Sequence, residues 1–307
     1  MLVHRDFRNL PAIPNPVLTI GTFDGVHLGH QKIISSMVDE ALAVKGQSLL
    51  ITFEPHPRKV IRPDEALGLI NTLDEKISLL AKTKLDHLVV VPFDKYFSEI
   101  EAEDYIEQFL VKFFKPHTII IGYDHHFGKM RRGNFELLSR YADEHRYRLL
   151  EIPKYILNEI GISSTRIRTA ILDSDISSAN NLLGYNYFFH GTVESGDRIG
   201  RTIGYPTANL AITNADKIHL GHGVFAVYVE METGEQAKGM LSIGTRPTLT
   251  DPTEKVEVNI FEWDREIYGE VLKVSVKTFL RYQEKYPSLE ELTAQLHRDK
   301  EDSLAVL

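Results

Sequence analysis

The sequence predicts an α/β chain in two parts: a doubly wound parallel sheet, followed by a small antiparallel β-barrel with a terminal helix. Three observations lead there. Short β-branched runs alternate with helical patterns through the first half. Beyond about residue 187, strand follows strand with little helix between. The end of the chain then opens a new helix with a capping signature.

The first strand is VLTIG, 17–21, a short apolar run of the buried kind. From His30 to Val44 the apolar residues Ile33, Ile34, Met37, Val38, Ala41 and Leu42 form two i,i+4 rows, so a helix is expected. SLLITF, 48–53, is again a strand, as are LDHLVVVPF and HTIIIG. Helical patterns at 102–114 and in NFELLSRYADEH follow the same alternation, which means a parallel sheet covered on both faces. Residues 158–186 read as two short helices, one from Ser163 or Ser164, the other from near Asp175 to Gly184. YFFHGTV, GVFAVYVEM, QAKGMLSIG, KVEVNIFEW and EVLKVSVKTFL supply the barrel. In the last of these, Leu272, Val274 and Val276 alternate with Lys273, Ser275 and Lys277, as in a half-buried strand. Ser288 and Glu291 form a capping box, and Leu289, Leu292 and Leu296 fall on one face of the helix they start. That face is expected to pack on the barrel. The divisions are 1–157, 158–186 and 187–307.

At 307 residues the chain suits two ordinary domains. Hydrophobic residues at 43% and charged residues at 25% are globular proportions. A net charge of −8 lacks the basic footprint of a nucleic-acid binder. The absence of cysteine excludes disulfides, thiol nucleophiles and cysteine-ligated zinc, and fits a reducing compartment. The N-terminus lacks a signal-peptide core and no window is apolar enough to span a bilayer, so a cytoplasmic protein with no membrane partner is expected.

IGTFDGVHLGH, 20–30, has the context strand, glycine turn, helix. A helix N-terminus at the carboxyl end of a parallel strand offers unpaired N–H groups and a positive dipole end, which favour phosphate. His27 and His30 lie just before or within the first helical turn, and Gly29 leaves room for a nucleotide near the backbone. A glycine turn with two surface histidines and a zinc site are the alternatives. His125 and His126 offer no convincing second ligand group for zinc. GYDHHFGKM is one residue too long for a P-loop and has Met130 where a hydroxyl is needed.

The motif G-x-F-D-G-x-H-x-G-H at 21–30 resembles the nucleotidyltransferase signature of the bacterial bifunctional riboflavin kinase/FAD synthetase family. TFEPHPR, GYDHHFG, ISSTRIR, GRTIGYPTANL, SIGTRPT and VEVNIFEWDREIYGE resemble that family in the same order, from about residue 15 to 300. The resemblance implies a nucleotidyltransferase sheet domain and a riboflavin kinase-like barrel. ATP would phosphorylate riboflavin to FMN and then adenylylate FMN to FAD, with Mg²⁺ as cofactor. In the first domain it implies that His27 and His30 are catalytic and hold ATP phosphates, with Gly21, Phe23, Asp24 and Gly29 around the nucleotide and Asp124 touching nucleotide or flavin. Ser164, Thr165 and Arg168 of ISSTRIR would form a second anion clamp facing the first. His125 stands where the family usually has an aromatic residue. Pro55 and Pro57 stiffen their loop, with His56 and Arg58 as ligand-contact candidates.

In the second domain, Gly196, Gly200 and Gly204 surround the barrel opening, where glycine lets backbone approach phosphate. Thr207 and Asn209 stand two apart, so their side chains face alike in an extended stretch. The resemblance makes them the magnesium–ATP ligands. Glu257 alternates with Val256, Val258 and Ile260 and points away from them. By resemblance it is the general base toward the riboflavin hydroxyl. Asn259 stands where the family often has histidine. Arg281 sits between the last strand and the terminal helix, a flap position near flavin.

Overall fold

The computed structural model describes residues 1–122, 125–145, 147–152, 161–196, 200, 203–212, 214–245 and 254–307. These divide into two units, Met1–Leu67 with Asn71–Ser163, and Gly68–Ile70 with Ser164–Leu307.

In the first unit, β1 (Leu2–His4), β2 (Val17–Ile20), β3 (Ser48–Glu54), β4 (His87–Pro92), β5 (Thr118–Gly122) and β6 (Arg148–Ile152) form one sheet. Its order is β1-β4-β3-β2-β5-β6, and every pairing is parallel. Alternate residues of each inner strand enter different cores. Leu18, Leu49 and Val89 pack with Phe109 and Leu138 on one face, and Val17, Leu50 and Leu88 pack with Ile34, Met37 and Leu80 on the other. This two-sided burial is why the strands read as unbroken apolar runs. Helices α1 (Leu28–Ala43) and α2 (Leu73–Leu80) cover one face; α3 (Tyr105–Phe114) and α4 (Phe135–His145) cover the other.

Helix α1 starts at Leu28 with the His27 side chain as its cap, so His27 stands just before it and His30 in its first turn, as expected. Several other details differ from the sequence reading. Residues 102–114 are helical throughout, but Tyr105–Phe114 winds as a π-helix. Tyr105, Phe109 and Phe114, spaced four and five apart, are all buried, and a wider turn keeps that spacing in one row. Strands β1 and β6 and helix α2 carry weak signals: β1 is three residues long, β6 is mostly accessible, and a lysine interrupts the apolar row of α2.

In the second unit, α5 (Ser164–Leu172) and α6 (Ile176–Leu183) precede the barrel. Asp175 caps α6 by accepting from the Ser178 N–H, and Gly184 ends it at φ 79°. Strands β7 (Phe188–Glu194), β8 (Ala208–Ala211), β9 (Gly223–Glu230), β10 (Gln236–Thr245), β11 (Glu254–Ile260) and β12 (Val271–Arg281) close into a barrel of order β10-β11-β8-β7-β12-β9. All its pairings are antiparallel. The alternation in β12 holds: Leu272, Val274 and Val276 are fully buried.

The terminal helix α7 (Leu289–Val306) begins as expected, with Ser288 Oγ accepting from the Glu291 N–H at 3.2 Å. Its docking differs from expectation. Leu289 is 57% exposed, while the buried residues of the helix are Asp299 and Ser303. Arg281, at the end of β12, donates from Nε and Nη2 to the two Asp299 oxygens at 2.8 and 2.6 Å. Ser303 Oγ donates back to the Asp299 carbonyl at 2.7 Å. A two-pronged ion pair therefore anchors the helix where a leucine stripe was expected, and Leu296 adds a partial contact to Tyr205, Met240 and Phe261.

Removing the carboxylate should leave the guanidinium half-desolvated. Asp299→Ala is expected to cost about 3 kcal/mol in urea unfolding, whereas Leu289→Ala should stay within about 0.5 kcal/mol.

Candidate functional site

The strand order reverses at β2, with β3 and β4 to one side and β5 and β6 to the other. Open parallel sheets bind ligands at the carboxyl ends of the strands beside such a reversal. The turn leaving β2 has left-handed backbone at Phe23, Gly25 and Val26, with φ of 47°, 89° and 35°. A branched residue such as Val26 is costly there, so the turn needs outside support. Gln31 Nε2 donates to the Val26 carbonyl at 2.9 Å, and the Asn71 N–H donates to Asp24 Oδ1 at 3.1 Å. Asp24 is buried, so its visible work is to hold the turn.

His27 is the N-cap of α1, and its Nδ1 accepts from the His30 N–H at 3.3 Å. The two imidazoles stack, centroids 3.6 Å apart and planes 15° off parallel. A Cβ on Gly29 would lie 3.2 Å from the His27 ring, and one on Gly21 would lie 3.0 Å from the Phe23 ring. Both glycines thus sit where rings press on backbone. The His30 ring is half-buried, with Nδ1 closed from solvent and without a hydrogen-bond partner among the described residues. Burial, then His27, then Lys76 push the His30 pKa well below its usual range. The stacked pair at a helix N-terminus is suited to a neutral, donating imidazole facing an anion.

Asp124 lies outside the described residues. His56 is buried and caps Pro57–Ile61 by accepting from the Arg58 N–H, while Arg58 pairs with Glu65. Ser164, Thr165 and Arg168 belong to the second unit, at the start of α5, where Arg168 Nε donates to the Gly68 carbonyl at 2.8 Å.

On the barrel, register assembles the second constellation. Glu257 of β11 stands directly opposite Asn209 of β8 and opposite Ser242 of β10. Such cross-strand partners have Cβ atoms about 5 Å apart on one face. Val256, Val258 and Leu210 are buried on the other face, so Glu257 and Asn209 point outward. A Cβ on Gly196 would fall 2.0 Å from Asn209 Nδ2, and one on Gly200 would fall 2.1 Å from the Tyr205 carbonyl. A side chain at Gly200 would strike backbone of the segment leading into β8, whereas one at Gly196 would have to displace the Asn209 amide. Gly204 has φ 81° and open space around its Cα. Asn259 Nδ2 donates to the Pro206 carbonyl at 2.6 Å, tying down the segment that carries Thr207.

Two cavities flank this ridge. One, about 620 Å³, is lined by Gly204, Tyr205, Asn259, Phe261, Trp263 and Lys300 among others. The other, about 410 Å³, is lined by Gly196, Asn209, His219, Glu254 and Val256 among others. Glu257 lies in sequence between the β11 residues that line the two. The oxygens of Thr207 and Asn209 are hard donors of the kind magnesium takes. Arg281 is committed to Asp299, to the Tyr282 carbonyl and to the Tyr286 ring.

The sequence reading missed Ser242, Gln283 and Lys76. Gln283 Nε2 donates to Ser242 Oγ at 2.8 Å beside Glu257. Only barrel register reveals that pair. Lys76 did carry a signal, because it falls in the row of Leu73, Ile77 and Leu80.

A proton-free His30 should make the first unit acid-labile. The unfolded chain protonates this histidine near pH 6.5 and the native one does not, so stability should fall as pH drops below about 6.5. Thermal unfolding between pH 7.5 and 5 should show a shallower acid slope for His30→Gln.

Comparison with known proteins places each unit in a family. Residues 11–166 match the family model FAD synthetase, and 183–307 match riboflavin kinase. The chain is 38% identical over 293 residues to the bifunctional riboflavin kinase/FMN adenylyltransferase of Listeria monocytogenes, covering 95% of this chain and 92% of that protein. It is 35% identical over 288 residues to the protein of the same name from Haemophilus influenzae, covering 94% and 93%. A solved structure described as a macrolide-efflux protein from Streptococcus pneumoniae superposes with a TM-score of 0.87 at 29% identity, covering 98% of each chain. Among the described residues here, no helix is long and apolar enough to cross a membrane.

Proposed function

The chain belongs to the bifunctional riboflavin kinase/FMN adenylyltransferase family, and we propose that it divides that family's two reactions between its two units. The barrel, 187–307, phosphorylates riboflavin to FMN. The sheet domain, 1–157, converts FMN to FAD, drawing on the segment 158–186. The observation that carries the kinase assignment is the register that sets Glu257 opposite Asn209, with a cavity to each side. A phosphotransferase base has to reach both a nucleotide and an alcohol, and the position of Glu257 on β11, between the residues that line the two cavities, supports that role.

In the kinase step, the terminal ribityl hydroxyl of riboflavin attacks the γ-phosphorus of ATP. Its proton passes to the Glu257 carboxylate, the bond from γ-phosphorus to the bridging oxygen breaks, and ADP leaves. Gly196, Gly200 and Gly204 bring backbone up to the phosphates. Thr207 and Asn209 would hold the magnesium that accompanies ATP, which would offset phosphate charge there. A general base of this kind contributes about 10²–10⁴-fold.

In the adenylyl step, a phosphate oxygen of FMN attacks the α-phosphorus of ATP. The bond from α- to β-phosphate breaks and pyrophosphate leaves, so alignment and charge stabilisation do most of the catalysis. His27 and His30 hold the ATP phosphates. Gly21, Phe23, Asp24 and Gly29 shape that cradle, with Asp124 a further nucleotide or flavin contact, and the family resemblance gives Ser164, Thr165 and Arg168 of the second unit as anion-binding residues. Arg281 acts near flavin only indirectly, through its hold on the terminal helix. Both steps consume ATP, and the cytoplasm is the compartment proposed.

Incubation with riboflavin, ATP and magnesium, followed by chromatography of the flavins, tests the division. His30→Ala should accumulate FMN and lose FAD by about 10²–10³-fold. Glu257→Ala should form no FMN yet still adenylylate supplied FMN. Loss of both activities in either folded variant would overturn the assignment.

A further inference from the structure

Lys76 belongs to none of the motifs above, yet it is only 4% exposed. Lysine is seldom fully buried, because an ammonium removed from water needs partners to offset its lost hydration. Thr72 and Glu75 build a capping box at the start of α2, which fixes the helix that carries it. Its Nζ donates to the Thr22 carbonyl at 2.8 Å and to Thr52 Oγ1 at 3.4 Å. Thr52 Oγ1 donates to the same carbonyl at 3.0 Å. Both of these acceptors are neutral. Burial lowers the Lys76 pKa, against which the charges of Asp24 and Glu54 act to raise it.

The carbonyl that Lys76 grips immediately precedes Phe23, the first left-handed residue of the turn. Beyond that turn, His30 stands under the influence of the same ammonium. One buried cation therefore touches both the backbone that shapes the cradle and the field inside it. Because it is shielded from water, that charge is screened far less than a surface lysine's would be.

We propose that Lys76 is a positioning residue for adenylyl transfer, locking the Thr22–Val26 turn and adding a buried positive charge beside the pocket that takes the ATP phosphates. The inference rests on reading the first unit as the FMN adenylyltransferase. Negative charge grows on the leaving pyrophosphate as the α–β bridge breaks, and a fixed cation favours that change without reorganising.

Two variants separate the roles of Lys76. K76M removes hydrogen bond and charge together; K76Q keeps an amide donor for Thr22 but carries no charge. K76Q is expected to lower kcat/KM for FMN adenylylation about 10²-fold, and K76M at least as much. Riboflavin phosphorylation by the same protein should stay at its wild-type rate. The acid limb of the adenylylation pH profile should move to higher pH, because His30 keeps only His27 as a cationic neighbour and takes up its proton more readily. A K76Q protein with wild-type kcat/KM and an unmoved acid limb would sink the proposal. So would an equal fall in both activities, which would make Lys76 a folding element. Wild-type protein that made FMN but no FAD would instead overturn the reading of the first unit.

Discussion

A backbone N–H or C=O removed from water has to be hydrogen-bonded, and both units are arranged around that requirement. The sheet meets it with parallel ladders covered on two sides by helices. The barrel meets it by closing on itself, leaving no free edge. Each arrangement has places where the ladder stops. In the sheet unit the place is the turn after β2, where α1 begins and the His27 side chain caps it. In the barrel unit it is the glycine-lined opening around Gly196, Gly200 and Gly204. The candidate sites lie at these breaks in the ladders.

The two sites present different chemistry to the same co-substrate. In the sheet unit the charged and basic groups are largely shielded: the His27 imidazole, the Lys76 ammonium and the Asp24 carboxylate are buried, and the His30 ring stacked on His27 is half-buried. Such a site acts through fixed dipoles and charge in a poorly screened setting. On the barrel the working groups stand on an outward strand face. There the carboxylate of Glu257 stands opposite the amide of Asn209. The first arrangement suits departure of pyrophosphate; the second suits deprotonation of a hydroxyl.

The terminal helix illustrates how polar anchoring can replace an apolar seam. Its leucine row predicts burial of Leu289, yet the contact surface is set by Arg281 and Asp299. An ion pair of this kind is directional, so it specifies how the helix lies as well as that it docks. The same arginine therefore has a structural task at the position where the sequence suggests a flavin flap.

Much was legible in the sequence because it was local. Period-two and period-3.6 patterns gave five of the six barrel strands and most of the longer helices, and the spacing of Gly21, His27, Gly29 and His30 gave the strand, turn and capped helix that carry the two imidazoles, since these involve only neighbours in the chain. The alternation around Glu257 likewise gave its outward face. What tertiary structure alone decided was pairing over distance: that Glu257 meets Asn209 and Ser242, that Arg281 meets Asp299, and that a lysine from a separate helix lies against Thr22. The physical reason is that local periodicity constrains which way a side chain points, whereas strand register and helix docking, settled by the whole packed core, determine what it meets.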